Sequence, residues 1–413
     1  MAINSQAIKA RLNGIDIFHF GFGQSPFPVH ESIRAALKDN VHQKDYLPTF
    51  GLRELREQIR RFHQAHFSYD FIVENICIGP GSKELIFQIL YILEGPIYVP
   101  APSWVSYGPQ ANLRGKKIHE VITSVENSYK LQADELEDKI IELGEENLQK
   151  TLILNNPSNP TGAVYTDQEV KDLAQVCKKY KIIVISDEIY SLINFSKRKY
   201  VGFLKYLPDQ TIVSSGISKS HGAGGYRLGF MAIPKALETL VRPLAAMVSE
   251  TFSAVSAPIQ FAGVAAYQKD EKLEKSIQNA TIIHELAGNY LAKRFIDMGL
   301  RCPIPEGAFY LFPDFQKYKA QLEEMGIKDS VELSKYLFKN YQVALLPGCD
   351  FYYPTDYFGL RVATVDYNGE EALKGLEENQ KIDFDFIRRY CPSLIKGADQ
   401  IELFLTQVKQ QKN

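Results

Sequence analysis

The chain has 413 residues, 45% hydrophobic and 23% charged, with 27 Gly and 20 Pro, the proportions of an ordinary globular protein. Its 47 basic and 49 acidic side chains give a formal charge of -2, which offers nothing to recruit nucleic acid or a membrane surface. The length suggests two domains, because single cores stop growing at roughly 250–300 residues. The opening MAINSQAIKARLNG lacks an apolar signal core, and the longest apolar runs, such as Ile182 to Ile185, fall far short of a membrane span. Five scattered cysteines (Cys77, Cys177, Cys302, Cys349, Cys391) form no CxxC pair. Neither a disulfide framework nor a metal site is indicated, and a cytoplasmic enzyme is expected.

From about residue 75 to 235, short β-branched runs alternate with longer amphipathic stretches. The runs are Ile76–Gly79, Ile97–Pro100, Ile118–Val121, Thr151–Asn155, Ile182–Ser186, Thr211–Ser215 and Leu228–Ile233. Most are continuous rather than alternating, as strands buried on both faces should be. Between them, Thr166-Asp-Gln-Glu169 reads as a capping box opening a helix with Val170, Leu173 and Cys177 on one face. This density of alternation predicts an α/β fold with a mainly parallel, doubly wound sheet, whose ligands lie beyond the carboxyl ends of the strands. Helical periodicity over 255–298 predicts one long helix leading to a second domain. The part beyond about residue 300 mixes strands with helices and is expected to pack with the N-terminal arm. Residues 376–395 break the pattern like an insertion.

Five strand ends carry candidate chemistry. Thr211–Ser215 runs into Gly216-Ile-Ser-Lys219-Ser-His-Gly-Ala-Gly-Gly-Tyr-Arg227-Leu-Gly229. A lone Lys after a strand is usually solvated, but this one lies among small residues with a fixed cation, Arg227, eight positions on. Aldehyde chemistry needs a Lys whose amine is freed by desolvation or neighbouring positive charge. Arg227 suits a phosphate through its paired donors. Asp187-Glu-Ile-Tyr190, Asn156-Pro-Ser-Asn159-Pro-Thr-Gly162, Gly79-Pro-Gly81-Ser82-Lys83 and Pro102-Ser-Trp104-Val-Ser-Tyr107 follow the other four strands. Read blandly these are a helix cap, a turn, a helix start and a core aromatic. The Gly-Ser-Lys turn does not have P-loop spacing, although helix N-termini bind phosphate well.

Together these segments resemble the class I and II aminotransferases of pyridoxal-phosphate (PLP) fold type I. The resemblance implies a large domain with a seven-stranded, mainly parallel sheet between helices. A smaller α/β domain would come from the two chain ends, with divisions at 1–45, 46–295 and 296–413. It gives Lys219 the Schiff-base and general-base role, Asp187 the protonated ring nitrogen, and Tyr190 and Asn159 the ring oxygen O3'. Trp104 would stack on the ring, and Gly81, Ser82, Ser218 and Arg227 would hold the phosphate. The family's usual phosphate-binding Ser is replaced here by Gly216, for which Ser214, Ser215 or Ser218 could compensate. Glu188 would face away from Asp187.

On the substrate side, Phe358-Gly-Leu-Arg361-Val-Ala resembles the motif whose Arg grips the α-carboxylate, and Gly23 aligns with the family's arm glycine. Lys83 matches a Lys that takes the distal carboxylate in one branch of prokaryotic-type aspartate aminotransferases; its bland reading is a solvated helix-opening Lys. Tyr46 matches the Tyr that crosses a homodimer interface to the phosphate. The implied reaction is a ping-pong transfer of an amino group from an L-amino acid, aspartate or a relative, to 2-oxoglutarate. Alternatives on the same scaffold are an aromatic or alanine aminotransferase, a C–S β-lyase or a cyclising synthase. A PLP-binding regulator lacks support from a basic helix-turn-helix segment. A Rossmann dehydrogenase fails on the missing third glycine of GxGxxG in Gly222-Ala-Gly-Gly-Tyr-Arg227.

Overall fold

A computed structural model describes residues 2–378 and 383–410. In chain order the strands are β1 (Phe18–His19), β2 (Ile76–Gly79), β3 (Ile97–Ala101), β4 (Ile118–Ile122), β5 (Thr151–Asn155) and β6 (Ile183–Asp187). They continue with β7 (Thr211–Gly216), β8 (Gly229–Ala232), β9 (Tyr310–Leu311), β10 (Val343–Ala344), β11 (Leu346–Pro347) and β12 (Leu360–Ala363). The seven apolar runs assemble as expected into one sheet, ordered β2-β8-β7-β6-β5-β3-β4. All neighbours are parallel except β8, which runs antiparallel to both β2 and β7. Every residue of β3, β5, β6 and β7 is buried, which is why those runs carry no polar alternation.

The capping box at Thr166 forms: the Glu169 amide donates to Thr166 Oγ1 (3.2 Å) and the Thr166 amide to Glu169 Oε2 (2.7 Å). It aims Val170, Leu173 and Cys177 into the core beneath β5 and β6.

The single helix expected over 255–298 is instead two, Ala257–Tyr267 and Glu271–Asp297. Gln268 turns extended, and the Asp270 side chain accepts from the amides of Lys272 (2.9 Å) and Leu273 (3.2 Å). An N-cap that satisfies orphan amides starts a new helix even where apolar periodicity runs on. The second helix spans two cores, with Leu273 in the sheet's cluster and Ile283, Ala287, Leu291 and Phe295 in another.

That other core joins Phe18, Phe20 and Phe27 of the arm to the C-terminal helices, and β1 pairs with β10 in parallel. Of the segment 376–395, residues 379–382 lie outside the described residues. Beyond them, helix Phe384–Tyr390 buries Phe386 and Ile387 in the same core, so this part is integral packing rather than an appended loop.

Candidate active site

The register of the sheet brings the strand-end residues together. Asn155 on β5 pairs with Asp187 on β6, which pairs with Ser214 on β7. Asn155 Nδ2 donates to the Asp187 carbonyl (2.9 Å), and Asn155 Oδ1 accepts from the Asn159 amide (2.7 Å). The Asn-Pro turn is thereby pinned to the end of β6. Asn159 Oδ1 accepts from Arg361 Nη1 (3.3 Å), and Arg361 Nη2 donates to the Gly21 carbonyl (2.6 Å). Arg361 is buried, 5% exposed, with its Nε unpartnered, and its guanidinium lies 4.9 Å from the Tyr310 ring centre.

Asp187 is 3% exposed. Its Oδ2 accepts from Tyr107 Oη (2.7 Å), while Oδ1 is buried without a partner. Burial pushes its carboxyl up to about 6, opposed by the Tyr107 hydrogen bond. Glu188 faces away, as expected: its Oε1 accepts from Ser186 Oγ (2.8 Å) and Tyr69 Oη (3.1 Å), and burial raises it to about 8.

Lys219 Nζ donates to the Gly23 carbonyl (2.7 Å) and lies 5.7 Å from the Tyr190 ring centre. Burial, then the charge of Arg361, lowers its amine to about 8, so a useful fraction is free base near neutral pH. Tyr190 is buried, its Oη 2.8 Å from Tyr310 Oη. Trp104 packs edge-on against Tyr107, ring centres 5.2 Å apart, and Lys83 Nζ stands 5.1 Å from the Trp104 ring. Lys83 is exposed, yet burial of its stem and the nearby Arg227 lower its pKa.

Arg227 closes on the glycine turn. Its Nη2 donates to the Pro80 carbonyl and its Nη1 to the Gly224 carbonyl, both 3.0 Å. Gly81 caps helix Ser82–Ile92 at φ +89°, and a Cβ there would stand 2.3 Å from Arg227 Nη2, so only glycine fits. Gly79, Gly229 and Gly216 form a row across β2, β8 and β7. A Cβ at Gly216 would lie 2.7 Å from the Leu228 carbonyl oxygen. The serine usual at this position is therefore sterically excluded. Ser215 Oγ donates to the Glu188 carbonyl (3.1 Å), and Ser214 Oγ is fully buried without a partner. Ser82 at this turn and Ser218 in the lysine loop are half-buried hydroxyls, as is Ser220, which meets His221 Nδ1 instead (2.9 Å).

Tyr46 is 95% exposed, and among the described residues no hydrogen bond or ring contact joins it to these groups. Two contributors escaped sequence reading. Tyr107 closes the segment Pro102-Ser-Trp104-Val-Ser-Tyr107 after β3, so a local signal exists for it. Tyr310 sits inside the apolar run Ala308–Phe312, and nothing in its sequence neighbours points to the site.

The residues present fit pyridoxal phosphate. Asp187 keeps one buried oxygen free for a ring N–H, Lys219 is a desolvated amine, and Arg227 with the Gly81 turn makes an anion cradle without side-chain obstruction.

The fold and this constellation define a PLP fold type I enzyme. The profile of "Aminotransferase class I and II" matches residues 15–372. Bacillus subtilis (strain 168) aspartate aminotransferase is 31% identical over 360 residues, covering 85% of this chain and 88% of that one. Thermococcus litoralis aromatic-amino-acid aminotransferase 2 is 29% identical, covering 88% and 91%. In fold, the chain superposes on Thermus thermophilus aspartate aminotransferase with maleate at a TM-score of 0.82, with 22% identity and coverage of 97% and 95%. The chain belongs to the class I and II aminotransferase family and is a pyridoxal-phosphate-dependent aminotransferase.

Proposed function

We propose that this aminotransferase moves the amino group of an L-amino acid, aspartate foremost, to 2-oxoglutarate by a ping-pong mechanism, with Lys219 as its central base. The observation that carries this reading is Arg361: a buried guanidinium with a free Nε, 3.3 Å from Asn159 and close to the lysine that binds Gly23. A buried cation with spare donors calls for an anion, and the planar fork matches a carboxylate.

Bound pyridoxal phosphate supplies an aldehyde that takes up the amino group and a protonated ring that accepts the electron pair released at the substrate Cα. The residues do the rest. Arg361, with Gly23 and Asn159 beside it, holds the α-carboxylate. Lys219 Nζ takes the Cα proton and keeps it within the site. Asp187 Oδ1 would accept the ring N–H, and Tyr190 with Asn159 would donate to the ring oxygen. Trp104 would pack on the ring, while Gly81, Ser82, Ser218 and Arg227 would bind the phosphate.

Aspartate is favoured because Lys83 offers a second cation beside Trp104, and because curated relatives are named aspartate aminotransferase. An aromatic donor is the competing reading, supported by similar proteins named as aromatic aminotransferases. A screen of amino donors against 2-oxoglutarate, repeated on Lys83→Ala, tests both. The expected result is a KM rise for dicarboxylic substrates far larger than for alanine or phenylalanine. Equal loss on all donors would defeat the distal-carboxylate role.

The same reading makes the active enzyme a cytoplasmic homodimer with shared sites. Tyr46 at 95% exposure is free to reach a partner's phosphate, and all five cysteines are unpaired. It also divides the chain at 1–45, 46–295 and 296–413, the last division falling at the end of the helix Glu271–Asp297 that passes from the sheet's core into the C-terminal one. A single-protomer mass for active enzyme in light scattering would refute the dimer.

A further inference from the structure

The roles above use Tyr190 and leave Tyr310 idle. Tyr310 lies on β9, 1% exposed, yet it touches three parts of the site. Its Oη is 2.8 Å from Tyr190 Oη and 3.4 Å from the Gly23 carbonyl, and its ring underlies Arg361 at 4.9 Å. The Gly23 carbonyl is also the acceptor for Lys219 Nζ (2.7 Å). The other charged groups facing Tyr190 are Arg361, Asp187 and Lys219, whose Nζ lies 5.7 Å from its ring centre.

A phenol has one proton to give. In one arrangement Tyr310 donates to Gly23, a weak bond at 3.4 Å, and Tyr190 donates to Tyr310. Tyr190 then has no proton for any other oxygen. In the opposite arrangement Tyr310 donates to Tyr190 across the 2.8 Å contact, and the Tyr190 proton is released for a third oxygen. An anionic oxygen beside Tyr190 selects the second arrangement, because a charge-assisted bond is roughly twice as strong as the weak neutral one it replaces. Aligned donors also polarise one another, so the Tyr310 bond makes Tyr190 a better donor.

We infer that Tyr310 is a positioning residue: by donating to Tyr190 it turns the Tyr190 proton onto the anionic ring oxygen of the cofactor. The inference rests on the reading of Tyr190 given above. It concerns no contact between Tyr310 and the cofactor, and a role in packing alone would be served equally by phenylalanine, which keeps the ring under Arg361.

The test is a visible-absorbance pH titration of the lysine-linked cofactor in substrate-free holoenzyme, for the natural chain, Tyr190→Phe, Tyr310→Phe and the double variant. Donation to the ring oxygen stabilises its anionic form, so losing it raises the apparent pKa. Tyr190→Phe is expected to raise that pKa by about one to two units and Tyr310→Phe by about half a unit or more. The double variant should match Tyr190→Phe alone, since Tyr310 acts only through Tyr190. An unchanged pKa in Tyr310→Phe, or additive shifts in the double variant, overturns the coupling while leaving Tyr190 in place. An unchanged pKa in Tyr190→Phe overturns the reading of Tyr190 itself. Should Tyr310→Phe fail to hold cofactor, 3-fluorotyrosine at position 310, a stronger donor of the same shape, must lower the pKa; no shift would refute the inference.

Discussion

Tyr107 Oη donates to Asp187 Oδ2 at 2.7 Å and leaves Asp187 Oδ1 buried with no partner of its own. One phenol therefore orients the carboxylate and fixes which oxygen is free to meet a ring N–H. It also lowers the carboxyl pKa that burial raises.

Asp187→Asn keeps the shape and the Tyr107 contact but removes the charge that, on the proposed role, would keep the ring nitrogen protonated. Steady-state transamination should fall by about 10²–10⁴-fold. Tyr107→Phe should cost less, because the carboxylate remains and loses only its orienting bond. An Asp187→Asn enzyme within threefold of the natural rate would contradict the assignment.

Lys219→Ala removes the amine held at Gly23. Mixed with pyridoxal phosphate, the variant should show no band of lysine-linked cofactor near the visible edge and no turnover of any amino donor. A retained band would place the covalent link on another lysine.

Gly216→Ser would appear to restore the phosphate hydroxyl usual in the family. Its Cβ must stand 2.7 Å from the Leu228 carbonyl, in a strand paired on both sides. The variant should lose about 1–3 kcal/mol in a denaturant titration, with no tighter cofactor binding. Equal stability together with improved affinity would show that the end of β7 yields.

Glu188 is raised to about 8 by burial, above the value of about 4.3 for a free glutamate. The folded chain thus holds a proton that the unfolded chain releases across this window. Its contribution to stability is complete below pH 4.3 and is lost as pH rises toward 8. Glu188→Gln, neutral throughout, should flatten that part of the stability profile, so that the variant loses less stability between pH 5 and pH 8 than the natural chain does. Parallel profiles for the two proteins would rule out a protonated Glu188.

Much of this enzyme was legible because its chemistry sits in short contiguous turns. Lys219 and Arg227 lie eight positions apart, Asp187 and Tyr190 three, and each turn follows an apolar run that could only be a doubly buried strand. The break at Asp270 was not legible, because a side-chain cap leaves the apolar period undisturbed. The Tyr107–Asp187 and Tyr190–Tyr310 contacts span 80 and 120 positions, so no local pattern could announce them.

By itself, then, the order of residues determined the strands, the Thr166 capping box and the candidate reactive groups, since each depends on neighbours within a few positions. Only the tertiary structure decided which oxygen of Asp187 is free, that Lys219 shares the Gly23 carbonyl with Tyr310, and that Gly216 has no room for a side chain. Those are properties of close approach between distant segments, where steric exclusion and unpaired buried polar atoms exist only after the chain has folded.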